Sequence, residues 1–246
     1  MRSKLQRLFV KAPLRARAEV ELAVPQAHYL LNVLRLKRGD TLLVFNGKDG
    51  EWQAELKTVG RKGAGLVLGA QTRAQTEGPD LHYLFAPLKR ARLDYMAQKA
   101  TELGASHLRP VITRRTVAEH INTERLLANA IEAAEQCGIL HVPEVQEPAK
   151  LSHVLDAWDQ ERLLIFADEQ AEPTPPLAAL GAAAKRAARP LAVLVGPEGG
   201  FDAEERALLL TKPFVLPISL GPRVMRADTA AIAALALVNA ALGDWR

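Results

Sequence analysis

A chain of 246 residues, 48% hydrophobic and 24% charged, has the composition of a soluble globular protein and the length for one large domain or a large and a small one. Its single cysteine, Cys137, excludes an intramolecular disulfide, suits a reducing cytosol, and is expected as a small buried apolar group. The formal net charge of +4 is unevenly spread, with +8 on residues 1–73 and −4 on the remainder, which points to an anionic partner on one end, most commonly nucleic acid.

The N-terminus has charges but no apolar core of signal-peptide length. The helical pattern begins in "PQAHYLLNVLRLKRGD". Tyr29, Leu30, Val33 and Leu34 recur at helical spacing, Pro25 stands at the start and Gly39 past the end, so a short amphipathic helix is predicted. Strands follow over Thr41–Phe45 and Trp52–Val59, with Asn46-Gly47 and Asp49-Gly50 as turn dipeptides between them. "RKGAG" makes the next turn and "LVLGAQ" the next strand. Short strands with one helix suggest a small barrel.

"TRAQTEGPD", residues 72–80, reads as a linker, so the domains are placed at 1–73 and 74–246. Strand-like and helical runs then alternate. LHYLFAP (81–87) precedes a helix over Leu93–Leu103, and LRPVIT (108–113) one over Thr123–Gln136. LLIFAD (163–168) precedes an Ala-rich loop and helix, LAVLV (191–195) a helix over Ala203–Leu210, and FVLPISL (214–220) one over Thr229–Leu242. That order predicts an α/β domain, a parallel sheet covered by helices on both faces. The longest apolar run, near Ala230–Leu242, is interrupted by Asn239 and too short for a bilayer; a cytoplasmic protein without membrane contact is expected.

Two strands end in glycine turns. "LAVLVGPEGGF" is followed by "DAEERALL", where Asp202 and Glu205 have the spacing of a capping box. It is neither a dinucleotide fingerprint nor a P-loop, since both G-x-G-x-x-G and G-K-[ST] are absent. "LPISLGPRVMRADTAAIAALALVNAAL" repeats the arrangement, with Asp228 or Thr229 as candidate helix caps. Its helix is apolar almost all round and therefore buried on more than one side, in the core of a monomer or against a second subunit. Neighbouring strand-end loops of this kind form one crevice, where open α/β sheets bind ligands.

"LVGPEGGF" followed by "SLGPRVMRADTAAIAAL" closely resembles the closing motifs of the RsmE family, the 16S rRNA (uracil-N3)-methyltransferases of the SPOUT superfamily. "QKATELGASHLRPVITRRT" and "AAEQCGILHVPEV" are similar to two further motifs, and "RLFV" with "HYLLNVLRLKRGDTLLVFNG" to the family's PUA-like domain. The likeness spans nearly the whole chain in the right order. It departs from the family at Asp228, often Glu there, at Arg90-Ala91, often Gly-Asp, and at Cys137, often Ser.

The resemblance implies a SPOUT methyltransferase domain with a trefoil knot behind a PUA-like domain. It implies a homodimer, S-adenosylmethionine as cofactor, and 16S rRNA or the 30S subunit as partner, with N3 of the uridine at position 1498 as target. A SPOUT enzyme acting on another RNA such as tRNA, and a non-catalytic assembly factor, are the other readings. No metal is expected. The implied cofactor positions are Leu194, Gly196, Pro197, Glu198, Gly199 and Gly200 in the first motif, and Ile218, Leu220, Gly221, Arg226, Thr229 and Ala230 in the second. Glu198 is either a cofactor acceptor or a turn acceptor. Uracil N3 carries a proton and is a poor nucleophile until it leaves, and no histidine sits in these motifs. Arg226 is therefore the candidate catalytic residue, stabilising the uracil anion, unless it bridges Asp228 or Glu198. Arg35, Lys37, Arg38, Arg61, Lys62, Lys89, Arg92, Arg114 and Arg115 are the candidate RNA contacts.

Overall fold

Period-two alternation builds the N-terminal sheet. The computed structural model describes residues 5–60, 63–117, 120–184 and 190–245, so the candidates Arg61 and Lys62 lie outside the described residues. Five strands run in the order β1-β3-β4-β5-β2: β1 (Arg7–Phe9), β2 (Glu19–Glu21), β3 (Thr41–Phe45), β4 (Glu51–Gly60) and β5 (Gly63–Arg73). Alternate residues Leu42 and Val44, Ala54 and Leu56, and Ala64, Leu66 and Leu68 share one core. Among the described residues of this sheet, β1 pairs with β3 in parallel and the other pairings are antiparallel. The predicted helix is present but widens. Helix α1 (Val24–His28), with Pro25 in its first turn, passes into a π-helical turn over Tyr29–Val33, where the Leu34 amide donates to the Tyr29 carbonyl at 3.0 Å. Arg35, in the left-handed region at φ +56°, stops it short of Gly39.

The chain divides into two compact units: residues up to Glu77 with Ala134–Val142, and Gly78–Ala133 with Pro143 onward. The first unit thus includes the end of α3 (Thr123–Cys137). Phe45 packs there with Ala134 and Leu140. Buried Arg7 pairs with buried Glu51 at 2.7 Å, and its terminal nitrogens donate to the carbonyls of Ala134, Glu135 and Ile139. One guanidinium thereby satisfies carbonyls that a helix end leaves open. Cys137, expected as buried, is exposed; it stands on the last turn of α3, beyond the Leu126 and Ala130 stripe that faces the second unit's core.

The second unit is the parallel α/β domain read from the alternation. Its strands are β6 (Leu81–Phe85), β7 (His107–Ile112), β8 (Glu144–Val145), β9 (Ala149–Lys150), β10 (Leu163–Ala167), β11 (Leu191–Val195) and β12 (Val215–Ile218). They run in the order β12-β10-β11-β6-β7-β8, with β9 also on β7, and every pairing is parallel. Continuous apolar runs suit a sheet covered on both faces. Tyr83, Phe85, Ile165, Val193 and Val195 face α2 (Arg90–Glu102), α3, α5 (Pro176–Ala184) and α7 (Ala227–Ala241). Leu84, Leu164, Phe166, Ala192 and Leu194 face α4 (Leu151–Asp156) and α6 (Ala203–Leu210).

The amino ends of these strands carry a polar cluster in which Arg162 and His82 are buried and Asp80 is exposed. Arg162 grips Asp80 through two hydrogen bonds of 2.7 and 3.0 Å, and the rings of His82 and His107 lie 4.0 Å apart. Burial, then the nearby Arg162, pushes the His82 pKa down to about 3. The unfolded chain therefore takes up a proton near pH 6.5 that the folded chain refuses until about pH 3. Stability is fully present above pH 6.5 and is lost as the pH falls through that window, at ~1.4 kcal/mol per pH unit for one proton. Urea titrations at pH 7, 5.5 and 4.5 are expected to show this slope, and His82→Gln to flatten it. An unchanged slope in that variant would assign the acid sensitivity elsewhere.

Candidate functional site

The carboxyl ends of β10, β11 and β12 open on one cleft. The chain leaves β10 for β11 on one side, then returns past β10 to β12 on the other. Such a reversal of crossover direction leaves a crevice at strand ends. Three loops wall it, one after each strand, and Ala227 and Ala230 of α7 close one side.

The loop after β11 is shaped by close approach. A Cβ on Gly196 would stand 2.6 Å from the Phe201 ring. Glycine there lets Phe201 fold back over the loop and meet Phe166 edge-on, at 5.1 Å between centroids. The Gly200 amide donates to the Pro197 carbonyl at 2.9 Å. Asp202 then caps α6. It accepts from the Glu205 amide at 2.7 Å, and its own amide donates to the Glu205 carboxylate at 3.3 Å, the capping box the spacing predicts.

The loop after β12 turns at Gly221, whose φ of +106° is open to glycine and costly to other residues. A Cβ there would meet nothing within 4 Å, so the space beside this backbone is free for a ligand. Helix α7 begins two residues earlier than expected. Arg226 holds the N-cap position by extended backbone, without a side-chain cap. Asp228 lies in the first turn instead and accepts from the Thr229 amide at 2.9 Å.

The loop after β10 was not singled out in the sequence. Asp168 and Glu169 both line the cleft. Buried Asp168 receives the Arg206 guanidinium at 2.9 Å. A Glu169 carboxylate oxygen lies 2.5 Å from where a Cβ on Gly200 would stand, so the first and third loops touch. An acid pair directly after a strand of a parallel sheet was the available signal.

The structure brings Gly196, Pro197, Glu198, Gly200, Leu220, Gly221 and Ala230 together on the cleft walls. Leu194 and Ile218 are buried in the strands beneath. Gly199, Arg226 and Thr229 flank the cleft without lining it. Arg226 is exposed and pairs with neither Glu198 nor Asp228. Arg92 takes Glu198 at 3.0 Å and stands 4.0 Å from Asp228.

Of the RNA candidates, Arg35, Lys37, Arg38 and Lys89 are exposed. Arg114 and Arg115 are engaged within the second unit. Arg114 pairs with Asp202 at 2.8 Å and Glu204 at 2.5 Å, and Arg115 donates to the Gly199 carbonyl at 2.6 Å.

The cleft suits an adenosyl cofactor. Ala167, Val195, Leu220 and Met225 offer apolar surface to a purine, and the carboxylates of Glu169 and Glu198 can accept from sugar hydroxyls or face a cationic sulfonium. Among the described residues no group of three or more His, Cys, Asp and Glu could hold a metal ion. No described helix is long and apolar enough to cross a membrane.

Known proteins are similar to this chain in sequence and in fold. The family described as the RNA methyltransferase domain matches residues 76–239, and that described as the RNA methyltransferase PUA domain matches residues 22–68. Ribosomal RNA small subunit methyltransferase E of Rickettsia conorii is 32% identical over 237 residues, 96% of each chain. Its counterpart in Synechocystis is 32% identical over 92% of this chain and 74% of its own. A Legionella pneumophila protein, solved in complex with the cofactor SAM, superposes with a TM-score of 0.81 at 29% identity, covering 96% of this chain and 98% of its own. Ribosomal RNA small subunit methyltransferase E from Neisseria gonorrhoeae, bound to S-adenosyl methionine, shares the fold with a TM-score of 0.84 at 24% identity, covering 98% and 100%.

Proposed function

The chain belongs to the ribosomal RNA small subunit methyltransferase E family of RNA methyltransferases, and on that premise we propose that it transfers the methyl group of S-adenosylmethionine to N3 of a uridine in small-subunit rRNA, on the 30S particle. The observation that carries this reading is the three-loop cleft with free space beside Gly221. The backbones of Gly196–Glu198 and Gly221, with Ala230 and the carboxylates of Glu169 and Glu198, are the groups that would hold the cofactor. When bound, S-adenosylmethionine supplies an electrophilic methyl group. The protein's own part is to place the uracil, exclude water, and favour the anion left when N3 loses its proton. Arg226, exposed beside cleft-lining Met225 and Ala227, has the charge and forked donors for that anion. The target edge is a pairing edge, so the base enters unpaired or flipped out.

The same reading assigns RNA docking to residues 1–73 and chemistry to residues 74–246, with the trefoil threading of the family in the latter. It also assigns a homodimer to the half-buried face of α7. Ile232 is on that face, whereas Leu235 is buried in the core.

Single-turnover transfer of labelled methyl to 30S particles tests the reaction, with N3-methyluridine as the expected product. Transfer to tRNA alone, or no transfer by a chain that binds the particle, would overturn it. Deleting residues 1–73 is a poor test of docking, because it would uncover Ala134 and Leu140 from Phe45. Neutralising Arg35, Lys37 and Arg38 together is cleaner. If all three meet phosphates, the log–log salt dependence of 30S affinity flattens by about 2, while cofactor affinity stays unchanged. An unaltered salt slope would remove these residues from the interface.

A further inference from the structure

Basic residues of an RNA enzyme invite assignment to phosphates, but two of them hold the cleft's own loop. The loop after β11 contains Gly196, Gly199 and Gly200, and has one internal backbone bond, Gly200 to Pro197. Glycine-rich backbone has much freedom to lose on ordering. What holds this loop comes from outside it. Arg92, on α2 after β6, donates to Glu198 at 3.0 Å. Arg115, in the turn after β7, donates to the Gly199 carbonyl at 2.6 Å. Consecutive loop residues are thus held from two neighbouring strand ends.

The turn that carries Arg115 is itself fixed. The Thr113 amide donates to the Thr116 hydroxyl at 2.9 Å, and the Thr116 amide donates to the Thr113 carbonyl at 3.1 Å. Arg114 binds Asp202 and Glu204, and its amide donates to Glu205 at 2.8 Å. The start of α6, where the loop ends, is therefore anchored to the same turn. Arg92 has a second acid within reach, Asp228 on the first turn of α7, at 4.0 Å. Glu198 belongs to one cleft wall and Asp228 to the helix that follows another, and the guanidinium between them offsets their repulsion.

We propose that Arg92 and Arg115 are positioning residues that pre-order the first glycine loop for the cofactor, and that they serve this loop instead of RNA. The inference rests on the reading of the cleft as an S-adenosylmethionine site. Ion pairs as exposed as Arg92–Glu198 add little to global stability. Their effect is expected in binding, because a loop already held loses less freedom when a ligand arrives.

Binding of S-adenosylhomocysteine to the full-length protein, measured by calorimetry, tests this together with thermal melting and 30S affinity. Arg92→Ala and Arg115→Ala are each expected to weaken cofactor binding about fivefold, equivalent to about 1 kcal/mol. Melting temperature and 30S affinity stay near wild type. In turnover, KM for S-adenosylmethionine rises while kcat holds within about twofold. Arg92→Lys, which keeps the cation beside Glu198, recovers at least half of the Arg92→Ala loss. If the wild type itself fails to bind, the reading of the cleft fails. If the wild type binds and both variants bind equally well, the positioning role is overturned. It is also overturned if the variants lose 30S affinity in place of cofactor affinity, or if Arg92→Lys binds no better than Arg92→Ala.

Discussion

Arg7→Ala is expected to destabilise the protein by about 3–5 kcal/mol, the cost of leaving a buried charge without its partner. Arg7 and Glu51 both have side chains only 4% exposed, and their contact is 2.7 Å. Removing the guanidinium strands the Glu51 carboxylate, which keeps one hydrogen bond from Thr72 at 3.0 Å and a distant Arg73 at 3.8 Å. It also strips donors from the carbonyls of Ala134, Glu135 and Ile139, and stacking on Phe45, whose ring centre lies 4.4 Å away. The double substitution Arg7→Met with Glu51→Leu separates these effects. It removes both charges, so the loss that remains reports the carbonyls of the α3 end. Urea denaturation should show the single variant well below wild type, with the double variant between them. A loss under about 1 kcal/mol in Arg7→Ala would show that water reaches Glu51 and that the pair is not a buried one.

Local rules made much of this fold readable. Strand β3, strand β11 and helix α6 begin and end where alternation and the Asp202–Glu205 box place them. The two-sided parallel sheet follows from strand–helix order. What the sequence hides depends on distant partners. Arg7 lies 127 residues from Ala134, and no local pattern announces that an arginine in a three-residue strand caps a helix. The strands β8 and β9, of two residues each, have no periodicity to detect. Cys137 continues the apolar stripe of α3 and still ends exposed, because the chain passes to another unit at Ala134. At the site, the glycine motifs identified two of the three walls. The third, Asp168–Glu169, has no comparable signature, because an acid after a strand resembles any loop. Arg92, Arg114 and Arg115 could be counted as positive charge, but only the fold shows that their acceptors are Glu198, Gly199, Asp202 and Glu204.

That redistribution of partners sharpens the expectation for Arg226. Arg92 occupies the carboxylates that would otherwise neutralise it, and the Arg226 side chain makes no hydrogen bond or ion pair with any described residue. Its neighbours Met225 and Ala227 line the cleft. It also sits at the N-cap of a 15-residue helix, whose terminus adds positive potential. A forked cation with no described partner in that place is suited to a base acquiring negative charge. Arg226→Ala is therefore expected to lower single-turnover methyl transfer about 100-fold, near 2.7 kcal/mol of transition-state stabilisation. Melting temperature should hold, since no described partner is lost, and the affinities for S-adenosylhomocysteine and for 30S particles should stay within a few-fold. Arg226→Lys restores the charge without the planar fork, so it should recover only part of the rate. If Arg226→Ala instead transfers methyl at the wild-type rate once saturated with 30S particles, and its defect lies wholly in affinity, then Arg226 binds RNA and the anion is stabilised by another group.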